Sequence, residues 1–208
     1  QEVWLKSWRR RIAEALAPAY TAAEPAGGGL LVLSRLPLRD AVFKRFPDLE
    51  GLSFVERLAS KGWLELVVAT AAGDVRIVTT HLAHRGPAEE QLDVLRAELA
   101  TRPALPTVLA GDFNLAPDDE AIQALVASGW TAACPVRNLE DGTLDLGPLT
   151  RVGWPRVAGA AVRGWRPDQV FARGLTVVDH ALALDGVTTA LSDHNAVVVT
   201  LRLPSRDR

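Results

Sequence analysis

Residues able to move a proton or hold a metal stand directly after apolar runs at three points, and beside one at a fourth. They are Thr80-His81, Asp112 and Asn114 in Gly111-Asp112-Phe113-Asn114, Asp168 ahead of Gln169-Val170-Phe171, and Asp193-His194-Asn195. An apolar run that ends in such a residue reads as a strand whose rigid end meets solvent, a good mount for reacting groups. Each segment alone has a plain structural reading: a strand terminus, a Gly/Asp/Asn turn, or a solvated loop or helix cap. Together these two histidines and three aspartates suit the hydrolysis of a phosphate ester. Carboxylates hold a hard divalent ion through oxygen, and such an ion polarises a phosphoryl oxygen and steadies the leaving oxygen. A histidine near neutrality stabilises charge or carries a proton. An aspartate orients water, and an asparagine donates to the transition state.

The elements that must position these groups follow from periodicity. Leu5, Trp8, Ile12 and Leu16 recur at helical steps between Glu2 and Ala17, and Pro18 ends the helix. Leu30 to Leu33 reads as a short buried strand, and Asp40 to Ser60 has no clear pattern. Trp63–Thr70 and Val75–His81 read as strands joined by a hairpin loop over Ala71 to Asp74. Pro87 suits the first position of a helix, with Glu89 and Glu90 at its positive end and Leu92, Leu95 and Leu99 as its buried stripe. Pro106–Ala110 is a strand running into Gly111, and a helix from Pro117 stops at Ser128-Gly129. Residues 135–167 are loop-like. Val170-Phe171, Thr176–Leu184 and Ala196–Leu203 close the chain as strands. Hairpin-joined strands with interspersed helices predict an α+β sandwich in one domain spanning residues 1–208.

Composition narrows the classes. A chain of 208 residues with 48% hydrophobic and 23% charged residues is globular rather than disordered. A single cysteine, Cys134, excludes a disulfide framework and a cysteine-rich zinc site. The net charge of −2 offers no global basic field for nucleic acid. No apolar run reaches the roughly 18 residues of a membrane span. Three lysines (Lys6, Lys44, Lys61) stand against twenty arginines, which reads as base bias of the genome. Methionine is absent, so the chain is expected to be processed or truncated at its start. It is expected to be a soluble monomer, cytoplasmic by default, with secretion left open. Trp4, Trp8 and Trp63 are expected in the core, and Cys134 as a buried small hydrophobe.

The order Gln1-Glu2, Leu33-Ser34-Arg35-Leu36-Pro37, Thr79-Thr80-His81-Leu82, Gly111-Asp112-Phe113-Asn114, Pro167-Asp168-Gln169-Val170-Phe171, Ser192-Asp193-His194 resembles the endonuclease/exonuclease/phosphatase superfamily. The Gly-Asp-Phe-Asn and Ser-Asp-His segments are its specific parts. The resemblance implies a four-layer α/β/β/α sandwich of two mostly antiparallel sheets, with the site at one end of both. It also implies a Mg²⁺-dependent hydrolase, with Mn²⁺ as an alternative ion. Glu2 and Asp193 would serve the metal. His81 and His194 would face the scissile phosphate. Asp112 would align or activate the attacking water, Asp168 would orient His194, and Asn114 would contact the substrate. Compatible substrates are nucleic acid, phospholipid head groups and small phosphate esters.

Two departures from the family pattern stand out. The usual first strand before Gln-Glu, with its asparagine, is missing, which predicts an N-terminally truncated sandwich. Asp168 is followed by Gln169 where the family often has tyrosine. A basic stretch with Arg151, Arg156, Arg163 and Arg166 interleaved with Trp154 and Trp165 could grip phosphates and stack on bases, or could be a solvated loop. Two other readings stay open: a binding or scaffold module of the same fold that has lost catalysis, and a different metal hydrolase that uses His81 and His194 with Asp residues around zinc.

Overall fold

The structure, a computed structural model, describes residues 1–23, 27–84, 86–135, 143, 165–183 and 194–204. The order among these is α1 (Lys6–Leu16), β1 (Thr21–Ala22), β2 (Leu33–Ser34), β3 (Leu38–Arg45), α2 (Phe54–Ala59), β4 (Gly62–Thr70), β5 (Gly73–His81), α3 (Ala88–Ala100), β6 (Thr107–Asp112), α4 (Glu120–Ala127), β7 (Thr131–Ala132), β8 (Asp168–Arg173), β9 (Thr176–Ala183) and β10 (Ala196–Arg202). Six strands form the main sheet in the order β3-β4-β5-β6-β8-β7, with β1-β2 and β9-β10 as antiparallel ribbons. Among the described strands of the main sheet only β5 and β6 run parallel, because α3 carries the chain back across it between them. This is the mixed α+β sandwich that the sequence predicts.

The two faces of the main sheet do different work. On one face Leu92, Leu95 and Leu99 of α3 and Ile122 and Leu125 of α4 pack on Val78, Leu109 and Phe171. These last three are direct neighbours in the ladder of β5, β6 and β8. The other face carries a second apolar cluster of Leu64 and Leu66 with Ala23 and Leu30. His81 and Asp112 follow Val78 and Leu109 by three positions, and Asp168 precedes Phe171 by three. An odd step along a strand changes face. All three polar residues therefore leave the helix-packed core and share the opposite face.

Several expectations are corrected. Asp40 to Ser60 holds most of β3 and all of α2. The register of β3 slips between Arg39 and Val42, which erases the alternation that would have announced an edge strand. Leu30 lies in a turn, its N–H donating to Gly27 O at 2.8 Å, so the strand keeps only Leu33–Ser34. Pro87 caps α3 from outside rather than opening it. Trp63 is core, but Trp4 and Trp8 are 38% and 59% exposed. The β1-β2 ribbon beneath α1 has two residues per strand, too little surface to cover the apolar stripe of the helix. None of the described helices is long and apolar enough to cross a membrane.

The tightest approach in the site-bearing strands is at Gly111, where a Cβ would stand 2.0 Å from the Thr80 carbonyl oxygen. Gly111→Ala is expected to lower the unfolding free energy by about 1–3 kcal/mol through forced strand separation. Urea denaturation measures this, and a wild-type midpoint would show that the strands have room to spare.

Candidate active site

The ladder delivers the site. His81 pairs with Asp112 across β5 and β6, and Asp112 pairs with Asp168 across β6 and β8. Adjacent strands lie about 4.8 Å apart, so one row of three neighbours sets an imidazole and two carboxylates side by side. His81 Nε2 is 3.3 Å from Asp112 Oδ2. His194, just before β10, brings Nδ1 to 2.6 Å from Asp168 Oδ2. Asp168 is further held by its own N–H, which donates to Thr143 Oγ1 at 3.2 Å.

Each residue of Gly111-Asp112-Phe113-Asn114 has a separate task. Gly111 permits the close approach just described. Asp112 faces the site. Phe113 turns into the helix-side core, where it meets Phe171 edge-on with centroids 5.3 Å apart. Asn114 takes a left-handed conformation with φ of 50°, which asparagine tolerates better than most residues. Its N–H donates to Asp112 Oδ1 at 2.9 Å, and its Nδ2 donates to Leu82 O at 3.0 Å. Its Oδ1 lies 3.0 Å from His84 Nδ1.

Burial sets the electrostatics. Asp112 is pushed up to about 6, first by desolvation and then by the neighbouring Asp168 charge, while His194, the Asn114 N–H and Lys61 pull the other way. His81 is pushed down to about 3, chiefly by desolvation, with Lys61, His194 and His84 adding to the effect. His81 is therefore neutral at physiological pH. Among the described residues its buried Nδ1 has no hydrogen-bond partner.

The structure thus brings His81, Asp112, Asn114, Asp168 and His194 together. Glu2 stands on the segment leading into α1, where the Val3 N–H donates to Gly29 O at 2.9 Å and the Trp4 ring lies 6.1 Å from that of His81. The Glu2 side chain is exposed. Asp193 lies outside the described residues, as do Arg151, Trp154, Arg156 and Arg163. Arg166 is 1% exposed and donates through Nη2 to Cys134 Sγ, so it is an internal residue and not a solvated arm. Trp165 sits 6.1 Å from the His84 ring. Two participants gave no usable sign in the sequence: His84, which has no apolar run before it, and Lys61, which lies between two elements.

Among the described residues no group of three His, Cys, Asp or Glu side chains is placed to hold a metal ion. The donor chemistry of the row nevertheless fits a hard cation. Desolvation and the neighbouring Asp168 carboxylate raise the proton affinity of Asp112, and a pair of oxygen donors of this kind suits such an ion.

The sequence profile described as the Endonuclease/Exonuclease/phosphatase family matches residues 1–194. No curated protein matches the chain. Among solved structures, an endonuclease/exonuclease/phosphatase from Beutenbergia cavernae DSM 12333 is similar at 23% identity and a TM-score of 0.64 over 94% of this chain. The chain spans only 57% of that protein. D. rerio TDP2 complexed with single-strand DNA product is similar at 18% identity and a TM-score of 0.71, covering 95% of this chain and 82% of that one. The Bacteroides thetaiotaomicron VPI-5482 mannosyl-6-phosphatase is similar at 18% identity and a TM-score of 0.68, covering 94% and 81%. At these identities the solved structures show a shared fold.

The raised Asp112 makes a stability prediction. Its folded value of about 6 exceeds the unfolded value of about 3.9. Its contribution is therefore fully present below about pH 4 and is lost as pH rises through 6. Asp112→Asn removes that loss. The variant should gain roughly 2–3 kcal/mol relative to wild type between pH 4 and pH 7 in metal-free buffer. His81 slopes the opposite way in both proteins and largely drops out of the difference. Urea unfolding at the two pH values measures it, and a pH-independent difference would refute a strained carboxylate.

Proposed function

The chain belongs to the Endonuclease/Exonuclease/phosphatase family, and we propose that it hydrolyses phosphate esters by in-line attack of water at the row His81–Asp112–Asp168. The observation that carries this reading is the strand register that sets these three side by side, with His194 on Asp168 at 2.6 Å.

Asp112 is the group that orients the attacking water and takes its proton, since a carboxylate near 6 is a competent base close to neutrality. Asp168 accepts from His194 Nδ1–H, which fixes the tautomer and turns Nε2 toward the scissile phosphate. His194 then stabilises developing charge there, with Asp168 balancing it. His81, neutral in its buried place, acts as a hydrogen-bonding group toward the phosphoryl or leaving oxygen. Asn114 keeps one Nδ2 hydrogen for a substrate oxygen. Members of this family generally use divalent metals, and Glu2 and Asp193, with Asp112 adjacent, are the residues that would hold Mg²⁺ or Mn²⁺ here. The ion would polarise the phosphoryl oxygen and offset charge on the leaving group.

The substrate classes are a nucleic acid strand, a phospholipid head group or a small phosphate ester. TDP2 with its single-strand DNA product and the mannosyl-6-phosphatase illustrate the breadth of chemistry on this fold. On this reading residues 1–208 work as one domain and as a monomer, with His81, Asp112, Asp168 and His194 all supplied by one chain.

The test is turnover of an aryl phosphodiester, an aryl phosphomonoester, plasmid DNA and sphingomyelin vesicles, with and without Mg²⁺. Chelation should abolish turnover and Mg²⁺ restore it. His194→Ala and Asp112→Ala should each cost at least about a hundredfold, and Asp168→Asn about 10–100-fold through His194. Near-normal rates in both alanine variants would reject the assignment.

A further inference from the structure

Helix α2 is built inside out. Phe54, Val55 and Leu58 are 75%, 73% and 67% exposed, whereas the Glu56 side chain is only 13% exposed. Apolar burial therefore does not seat this helix. Its inward contact is an ion pair with Lys61, whose side chain is 8% exposed and whose Nζ lies 3.1 Å from Glu56 Oε2 and 3.4 Å from Oε1. A buried ion pair is a poor device for stability, because desolvation offsets most of its attraction.

Both members reach on toward the site. Lys61 Nζ donates to Leu82 O at 2.8 Å, the same carbonyl that accepts from Asn114 Nδ2 at 3.0 Å. Glu56 Oε1 accepts the His84 N–H at 3.0 Å, and His84 Nδ1 lies 3.0 Å from Asn114 Oδ1. Both ends of the Asn114 amide are thus tied to the segment that follows β5, and Lys61 and Glu56 hold that segment. The Asn114 N–H meets Asp112 Oδ1 at 2.9 Å.

We infer that Lys61 and Glu56 are positioning residues for the proposed reaction, a buried clamp that fixes residues 82–84 and through them the orientation of Asn114 and the Asp112 carboxylate. The inference rests on the reading of the site given above for its effect on turnover, but not for its effect on structure. The clamp works at second hand, so its loss should slow turnover without weakening substrate binding.

Three variants test it: Lys61→Met, the charge-free pair Glu56→Gln/Lys61→Met, and Lys61→Arg. Lys61→Met and the double variant should lower kcat about 10–100-fold with KM within about threefold, and Lys61→Arg should recover most of the rate. Hydrogen exchange supplies a readout free of activity. The Asn114 amide should exchange at least about tenfold faster in Lys61→Met and in the double variant, while Leu109 in β6 keeps its protection. If wild type hydrolyses none of the phosphate esters, the proposed reaction fails and the exchange data still judge the clamp. If wild type is active, but the variants keep both their kcat and the Asn114 protection, the clamp is wrong and the reaction stands. Loss of protection at Leu109 along with Asn114 also overturns the inference, because the pair would then support the fold as a whole.

Discussion

Everything at the site depends on the register of three strands. β5, β6 and β8 are aligned so that Val78, Leu109 and Phe171 form one row and His81, Asp112 and Asp168 another. The first row is locked by packing against α3 and α4. The second inherits its alignment from the first, three residues away along each strand. A slip of one residue in any strand would send its apolar side chains to the wrong face. The cost of unpacking the helix-side core is therefore what holds an imidazole and two carboxylates in a row. The geometry of the polar row is a by-product of hydrophobic register.

That arrangement has an electrostatic cost. Asp112 is 6% exposed and Asp168 is 9% exposed, so neither charge is fully hydrated. The site relieves this in three ways. Asp112 gains proton affinity. His81 gives up its own, so no further charge is buried beside it. His194 covers Asp168 from the neighbouring segment. Lys61 and His194 are the basic side chains that act on both His81 and Asp112. A hard cation among these oxygens would do the same job more strongly.

The strands and helices of the main sheet were legible because their signals are local. The stripe of Leu92, Leu95 and Leu99, the apolar run before Gly111, and the hairpin between Thr70 and Gly73 each declare themselves within a dozen residues. The polar residues at the strand ends were legible for the same reason, since each breaks an apolar run. What stayed hidden was relational. Nothing near Lys61 says that it reaches the Leu82 carbonyl, and in a chain with twenty arginines the lysine reads as compositional noise. His84 joins the site only because Asn114, thirty positions on, folds back to meet it. Trp8 carries a helical apolar signal, yet the two-residue strands under α1 leave it exposed. Periodicity reports which face of an element is apolar, and it is silent on whether anything large enough lies opposite.

The same division explains how one scaffold can serve different substrates. The helix-side face of the main sheet carries a contiguous apolar core, and substitutions there act through stability. The other face ends in the polar row, and its supports are loops and short elements: residues 82–84, Glu56 of α2 with Lys61 beyond its end, Thr143, and the approach to β10. Loops of this kind can change while the row stays fixed by the strands. A phosphate ester would be recognised at the row by its phosphorus centre alone. Discrimination among nucleic acid, lipid head group and sugar phosphate must then come from the loop side, where Trp165 and His84 already stand 6.1 Å apart. The fold is shared with solved structures at 18–23% identity, and a row held by strands with loop-borne supports lets its surroundings vary while its register stays.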